Sequence, residues 1–497
     1  MSAESSFTPD LRRSNFRNWL SLAGAIIALG SFFAFLLLVA LDVFAREGNP
    51  YLGILTYLVA PFFLFLGMAF IFGGWWLRRR QVRRAGPGGG PSLAIDLSLA
   101  RHRRYLGLFV AGAIVFLFLT AFNSYKTYHF TESVVFCGQV CHTVMEPEFT
   151  TYQRGAHARV SCADCHIGSG AEWYVKAKIS GTYQVYATLM DKYERPIKTP
   201  IRNLRPAQET CERCHWPEKF TGNLDRTYEH FLSDRDNQPY SVRLLMHVGG
   251  GQTGQGGPFG GIHWHMSVAH RVEYFATDEK RQQIPWVRIS ETAGGPARVY
   301  RTEDFKGDPP ADANRVMDCM DCHNRPAHVY KSANDAVEQA LALGRISAKL
   351  PAIKRVAVDA LTKDYGSTPE ANAAIADILQ AKYSTVAAAD LAPTIETVRT
   401  IYAQNFFPLM KADWRVYPDN IGHKDWPGCF RCHDDKHRSE AGLLIKASDC
   451  TTCHTILAQG NAEEITRLVP SGLKFDHPGG EIPEGLICND CHNGRNQ

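Results

Sequence analysis

Six short runs of the chain share one spacing and one follower. They are Cys162-x-x-Cys165-His166, Cys211-x-x-Cys214-His215, Cys319-x-x-Cys322-His323, Cys429-x-x-Cys432-His433, Cys450-x-x-Cys453-His454 and Cys488-x-x-Cys491-His492. A seventh, Cys137-x-x-x-Cys141-His142, is one residue longer. Together they use all 14 cysteines of the 497-residue chain. Cys-x-x-Cys-His is the attachment signature of c-type haem. Each thiol adds to a porphyrin vinyl group, and the adjacent imidazole is held under the ring, where it binds iron. Zinc also takes Cys-x-x-Cys pairs, but its chemistry does not require a histidine directly after the second cysteine. With 19 histidines in the chain, seven such followers by chance have a probability of roughly 10⁻¹⁰ on composition alone. A disulfide framework fits no better, because a two-residue gap closes a strained loop that staples nothing. The motifs predict seven c-type haems, with six as the alternative.

A bis-histidine iron needs a second imidazole. Twelve histidines lie outside the motifs, and only His102 and His129 fall in or beside the apolar N-terminal quarter. Ten remain, enough for every iron, which argues against many open, substrate-binding irons. His157, His423 and His477 stand near motifs in "GAHARVSCADCH", "GHKDWPGCFRCH" and "FDHPGG" and are the first candidates. His247, His263, His265, His328 and His437 come next, ahead of His230 and His270. On a helix His437 would point the same way as His433, four residues earlier, so it is expected to serve a different iron. The alternative for each is a surface histidine, or a core histidine bonded to backbone or propionate.

Three apolar runs precede the motifs, at about 19–43, 51–76 and 105–122. The first two exceed the ~20 residues needed to span hydrocarbon and the third is near the lower limit. The first is too long for a signal-peptide core and lacks a convincing cleavage site. Arginines 12, 13 and 17 precede the first run, and eight more stand between the second and third, around a "GPGGGP" linker. The positive-inside rule puts the N-terminus and that loop in the cytoplasm, and everything after the third run in the bacterial periplasm. A net charge of +4 is too mild to imply nucleic acid.

The expected fold is a mainly α membrane anchor with three transmembrane helices, joined to a periplasmic multihaem domain with little regular structure. That domain carries a small β-rich insert and an α-helical insert. The anchor is expected over 1–125 and a haem domain with haems 1–4 over 126–330. Within it, 216–318 carries a Gly-rich loop and strand-like runs such as "HRVEYFAT". Residues 331–420 form the helical insert, with helical spacing in "NDAVEQALALGRISAKL". Residues 421–497 hold haems 5–7. The inserts are expected to be docking surfaces for partners.

The stretch "FCGQVCHTVMEPEFTTYQRGAHARVSCADCHIGSGAEWYVKAKISGTYQVY" resembles the start of the NapC/NirT family of membrane-anchored multihaem quinol dehydrogenases. The likeness covers about 105–215. With its three spans and seven motifs, the whole chain is similar to the heptahaem inner-membrane cytochromes of metal-reducing bacteria. The resemblance implies that the first haems sit at the membrane surface and oxidise menaquinol, and that electrons then pass to periplasmic c-type cytochromes or a terminal reductase. It implies Met145 as an axial ligand of the first iron and Lys178, or Lys176, beside the quinol. Where the family has an acid two turns further on, this chain has Gln184, so Glu146 or Glu148 is expected to accept quinol protons. A multihaem reductase acting on a small oxyanion or nitrogen compound is the rival reading, although no Cys-x-x-Cys-Lys site exists. A non-redox assembly subunit is a third.

Overall fold

The computed structural model describes residues 18–44, 59–85, 98–168, 170–201, 205–216, 222–249, 261–267, 269–292, 294–310, 312–447, 450–483 and 486–495. Most of the Gly-rich loop lies outside them. The chain forms two compact units, residues 1–132 with 167–182, and residues 133–166 with 183–497.

The first unit is helical, because an apolar segment without water must satisfy its backbone internally. Helices α1 (Trp19–Phe44) and α2 (Ala60–Ala85) each run 26 residues. Within them Trp19–Leu36 and Ala60–Gln81 are long and apolar enough to cross a membrane. The second expected run is described from residue 59 on, and residues 51–58 lie outside the described residues. The third expected span falls within α3 (Ala100–Thr131), where several side chains of the run are not described. The described residues thus supply two candidate spans. Leu29, Phe33, Phe62, Phe65, Leu108 and Ile114 are all more than half exposed, which suits lipid and would be costly in water. Ser21 Oγ, on α1, donates to Ile71 O of α2 at 3.0 Å, so the hydroxyl is not stranded among apolar groups. The last turns of α2 carry Arg78, Arg79, Arg80, Arg83 and Arg84, with Arg80 over the Trp76 ring at 4.0 Å.

In the second unit, α4 (His142–Gln153) follows the first motif, and α5 (Ala171–Leu189), which begins in the first unit, follows the second. Two antiparallel sheets come next. One has the order β1-β2-β8 and the other β6-β3-β4-β5-β7. β1 to β6 (Leu224–Phe231, Pro239–Met246, His270–Phe275, Trp286–Glu291, Arg298–Arg301 and Arg315–Val316) come from the β-rich insert. β7 (Arg438–Ser439) and β8 (His454–Gly460) come from the last haem region and complete both sheets. Val272, Tyr274, Ile284 and Val287 form a small core beneath the larger one.

The main apolar core belongs to four helices: α6 (Ala333–Ala342), α7 (Ile353–Leu361), α8 (Thr368–Lys382) and α9 (Ala388–Asn405). Ser332 and Ser367 cap α6 and α8, each accepting from an amide three residues on. Val337, Ile353, Val358, Leu361, Ile375, Leu379 and Val398 are fully buried together. Each contributes about 1.5–3 kcal/mol relative to exposure. A charged clamp crosses this core. Glu338 of α6 takes Lys354 Nζ at 2.8 Å and His230 Nδ1 at 3.0 Å. Burial pushes its carboxyl up, but His230 and Lys354 outweigh burial and hold it down at about 2.

Candidate haem-binding sites

Each short motif is wound into one tight turn. The amide of His215 donates to Cys211 O at 2.8 Å, that of His323 to Cys319 O at 2.8 Å, that of His433 to Cys429 O at 3.0 Å and that of His492 to Cys488 O at 2.7 Å. This turn brings the two thiols to one side and starts the imidazole beside them. The long motif solves the same problem differently. Phe136–Val140 forms a π-helical turn, whose wider ring absorbs the extra residue. Gly138 makes the turn possible, because a Cβ there would sit 2.2 Å from the Phe149 ring. None of the fourteen cysteines is paired in a disulfide.

Six motif histidines each face a histidine from elsewhere in the chain. Ring-centroid distances are 6.3 Å for His166–His328, 6.0 Å for His215–His157, 6.2 Å for His323–His263, 5.9 Å for His433–His265, 6.3 Å for His454–His423 and 5.9 Å for His492–His477. A metal takes imidazole nitrogen at about 2.0 Å and the ring centre lies about 1.1 Å behind it, so two coaxial ligands have centroids about 6.2 Å apart. The pairs fit an iron between them.

Hydrogen bonds orient the rings for that purpose. Nδ1 lies against the carbonyl of Pro326 in His157 (2.9 Å), of Val248 in His263 (2.7 Å), of Ile262 in His265 (2.8 Å) and of Glu148 in His328 (2.9 Å). His433 Nδ1 does the same with Lys446 O at 3.2 Å. A carbonyl can only accept, so Nδ1 carries the proton and Nε2 keeps its lone pair for a metal. His477 differs, since its Nδ1 accepts from the Gly479 amide at 3.1 Å. Burial lowers the basicity of His166, His265, His323 and His423, and the facing imidazole adds to the effect. Burial also depresses His433, His454 and His492, the last to about 4, where Lys424 assists. Such rings are neutral at pH 7, the form that binds metal.

His263 and His265 share one 3₁₀ turn, Ile262–Met266. It is set by Gly261, whose φ of +124° is closed to other residues and whose Cβ would lie 2.2 Å from Gly249 O.

The other expected ligands are placed differently. His437 is fully buried, with Nδ1 on Asp434 Oδ1 at 2.8 Å and Nε2 on Ile284 O at 2.7 Å. Both nitrogens are occupied by protein, so the expectation that it serves another iron does not fit. Nor are His433 and His437 on a helix, the premise behind that expectation. His247 Nε2 meets Thr455 Oγ1 at 3.2 Å and lies within electrostatic reach of His454, which already faces His423. His230 belongs to the Glu338 clamp, and His270 stacks on Trp264 at 4.6 Å. In the first motif, His142 opens α4 and Met145 follows one turn later. The His142 side chain is outside the described set.

Of the expected quinol-site residues, Lys178 forms an ion pair with Glu132 and a 3.3 Å hydrogen bond to Thr131 Oγ1, and its Nζ lies 5.0 Å over the Tyr174 ring. Lys176 lies over Trp173 instead, at 4.8 Å. Glu146 is exposed and Gln184 faces outward. Glu148 is half-buried, with Oε2 3.3 Å from His328 Nδ1 and 4.0 Å from Arg325. It thus sits behind a candidate ligand. The acid that sequence reasoning missed is Glu132. Its signal was available: a carboxylate just past the C-terminus of α3 opposes the helix dipole unless a cation answers it.

Paired imidazoles beside attachment thiols, repeated along one chain that also has apolar helices, define a multihaem c-type cytochrome. The chain belongs to the NapC/NirT cytochrome c family, whose N-terminal region matches residues 100–215. It is 40% identical over 493 residues to cytochrome c-type protein ImcH of Geobacter sulfurreducens, covering 96% of this chain and 95% of that protein. No solved structure matches the chain. Membership means covalently bound haem and electron transfer. The thiols are the attachment points and the facing imidazoles would hold the iron.

Proposed function

We propose that this chain is a bacterial inner-membrane cytochrome with seven c-type haems that oxidises menaquinol and passes electrons to periplasmic redox partners. Three helices anchor it, with the N-terminus in the cytoplasm and the haem region in the periplasm. The observation that carries the reading is the set of six facing histidine pairs. An iron with both axial positions filled by protein can exchange electrons but cannot bind an oxyanion, so a reductase reading finds no support among those six.

Haem supplies the one-electron acceptor, and the chain supplies the rest. Lys178 and Glu132 form the donor and acceptor pair for the quinol hydroxyls. Glu132, only 11% exposed and already paired, takes a proton as the quinol is oxidised, and Lys178 holds it in place. Trp173 and Tyr174 give the quinol ring an apolar wall.

Oxidised protein in detergent, mixed with a menaquinol analogue without oxygen, tests this through haem absorbance. Wild type is reduced rapidly, and Lys178→Ala and Glu132→Gln are slowed by roughly 10²–10⁴-fold, the range of a positioned proton acceptor. Wild-type rates in both variants would move the quinol site elsewhere.

A further inference from the structure

We propose that the seven motifs form one unbranched electron path in chain order, from Cys137 to Cys491, with the Ile262–Met266 turn as the joint between the fourth and fifth. The inference rests on the haem reading above, and adds which haem neighbours which.

A thiol attaches at the porphyrin edge, so thiols that meet put two porphyrin edges together. The Cys137 and Cys162 sulfurs lie close together, joining the first motif to the second. Tyr152, in the helix after the first motif, donates to Val160 O just before the second at 2.8 Å. Cys165 lies within electrostatic reach of Cys214, and His157, five residues before the second motif, faces His215 of the third. The single turns Ala207–Cys211 and Cys319–Cys322 pack on each other and bring the Cys211 and Cys319 sulfurs close together, joining third to fourth.

The fourth and fifth are joined three ways. Cys322 is within reach of Cys429. Arg431, buried inside the fifth motif, donates to Asp321 O inside the fourth at 2.6 Å. His263 and His265, one residue apart, face His323 and His433. For the fifth and sixth, Cys429 is within reach of Cys453. His423 faces His454 while stacking on Phe430, inside the fifth motif, at 4.3 Å. Cys450 is within electrostatic reach of Cys488, and Leu473 N, ahead of the seventh motif, donates to Ile456 O, just past the sixth, at 2.8 Å.

Every one of these thiol approaches joins consecutive motifs. Among the six facing pairs, His328, which follows the fourth motif, crosses back to face His166 of the second. No approach between second-motif and fourth-motif thiols accompanies it among the described residues. One electron passes between neighbours per step, with no bond made or broken. Menaquinol gives two electrons and two protons at the first motif and becomes menaquinone, and an oxidised periplasmic cytochrome accepts each electron at the seventh.

Cryo-electron microscopy of the haem-loaded wild-type protein reads the iron positions directly. The closest porphyrin-edge neighbours of each haem are expected to be those of the preceding and following motifs. A closest neighbour from any other motif, such as the second against the fourth, overturns the proposal. Cys450→Ser with Cys453→Ser removes the sixth haem. The seventh should then stay oxidised while the first five are reduced by the quinol analogue, and its reduction at their rate also overturns the order. If wild type takes no electrons from quinol, the functional reading fails while the iron positions still decide the order.

Discussion

At the scale of single residues, being buried and being a ligand are separate properties. His328 and His437 both looked available in the sequence. One faces His166 and the other has both nitrogens bonded to protein. His328→Ala should convert one low-spin bis-histidine haem signal to a high-spin one in electron paramagnetic resonance. His437→Ala should leave the spectrum unchanged and destabilise the fold by about 1–3 kcal/mol, through the unpaired Asp434 and Ile284 acceptors, read by thermal melting. The motif histidines were legible because chemistry ties them to adjacent cysteines. The six partners were all among the candidates, but which motif each serves was not legible, because the partner of His433 lies far back in the β-rich insert and nothing local marks the pairing. Nor does local sequence separate His263, which faces a motif, from His437, whose two nitrogens are bonded to protein.

At the scale of elements, the inserts take on roles that their lack of motifs concealed. Strands and helices were readable from periodicity and caps. The β-rich insert, expected as a docking surface, carries the turn that holds two of the paired histidines. Gly261→Val should distort that turn and disturb two haem signals at once, where a single ligand substitution disturbs one. Magnetic circular dichroism of the near-infrared bands counts them. In the helical insert, Glu338→Ala leaves Lys354 buried without its partner and should cost about 3–5 kcal/mol by chemical denaturation. The clamp also predicts an acid response. The Glu338 carboxyl titrates below its ordinary value of 4.5, at about 2 in the fold. Its stabilisation is complete above pH about 4.5 and is lost as pH falls towards 2. A series of denaturation midpoints over that window, flattened in Glu338→Gln, would show it.

At the scale of the whole molecule, regular structure covers the helical insert and the two sheets, while the motif segments are single turns and loops. Residues 450–495 bury few apolar side chains, Ile456 and Ala458 among them. A cofactor with a large apolar face fills that role, and this is why periodicity reads so little there. Intact mass under denaturing conditions should exceed the polypeptide by seven haems. Six would mean that the π-helical turn at Cys137 and Cys141 is not loaded.

The crossing of His328 to His166 also has a meaning in time. On the proposed topology the haem region crosses the membrane after the anchor in N-to-C order, which would deliver His157 before His215, His263 before His323, His265 before His433, His423 before His454 and His477 before His492. In each of those pairs the distant ring is already outside when the attachment thiols arrive. The second motif alone among the six must wait, half-clasped, until residues beyond the whole β-rich insert have emerged. The second strap is therefore fastened only after the third and the fourth, and a nascent protein halted between residues 323 and 328 would be caught with that one iron open.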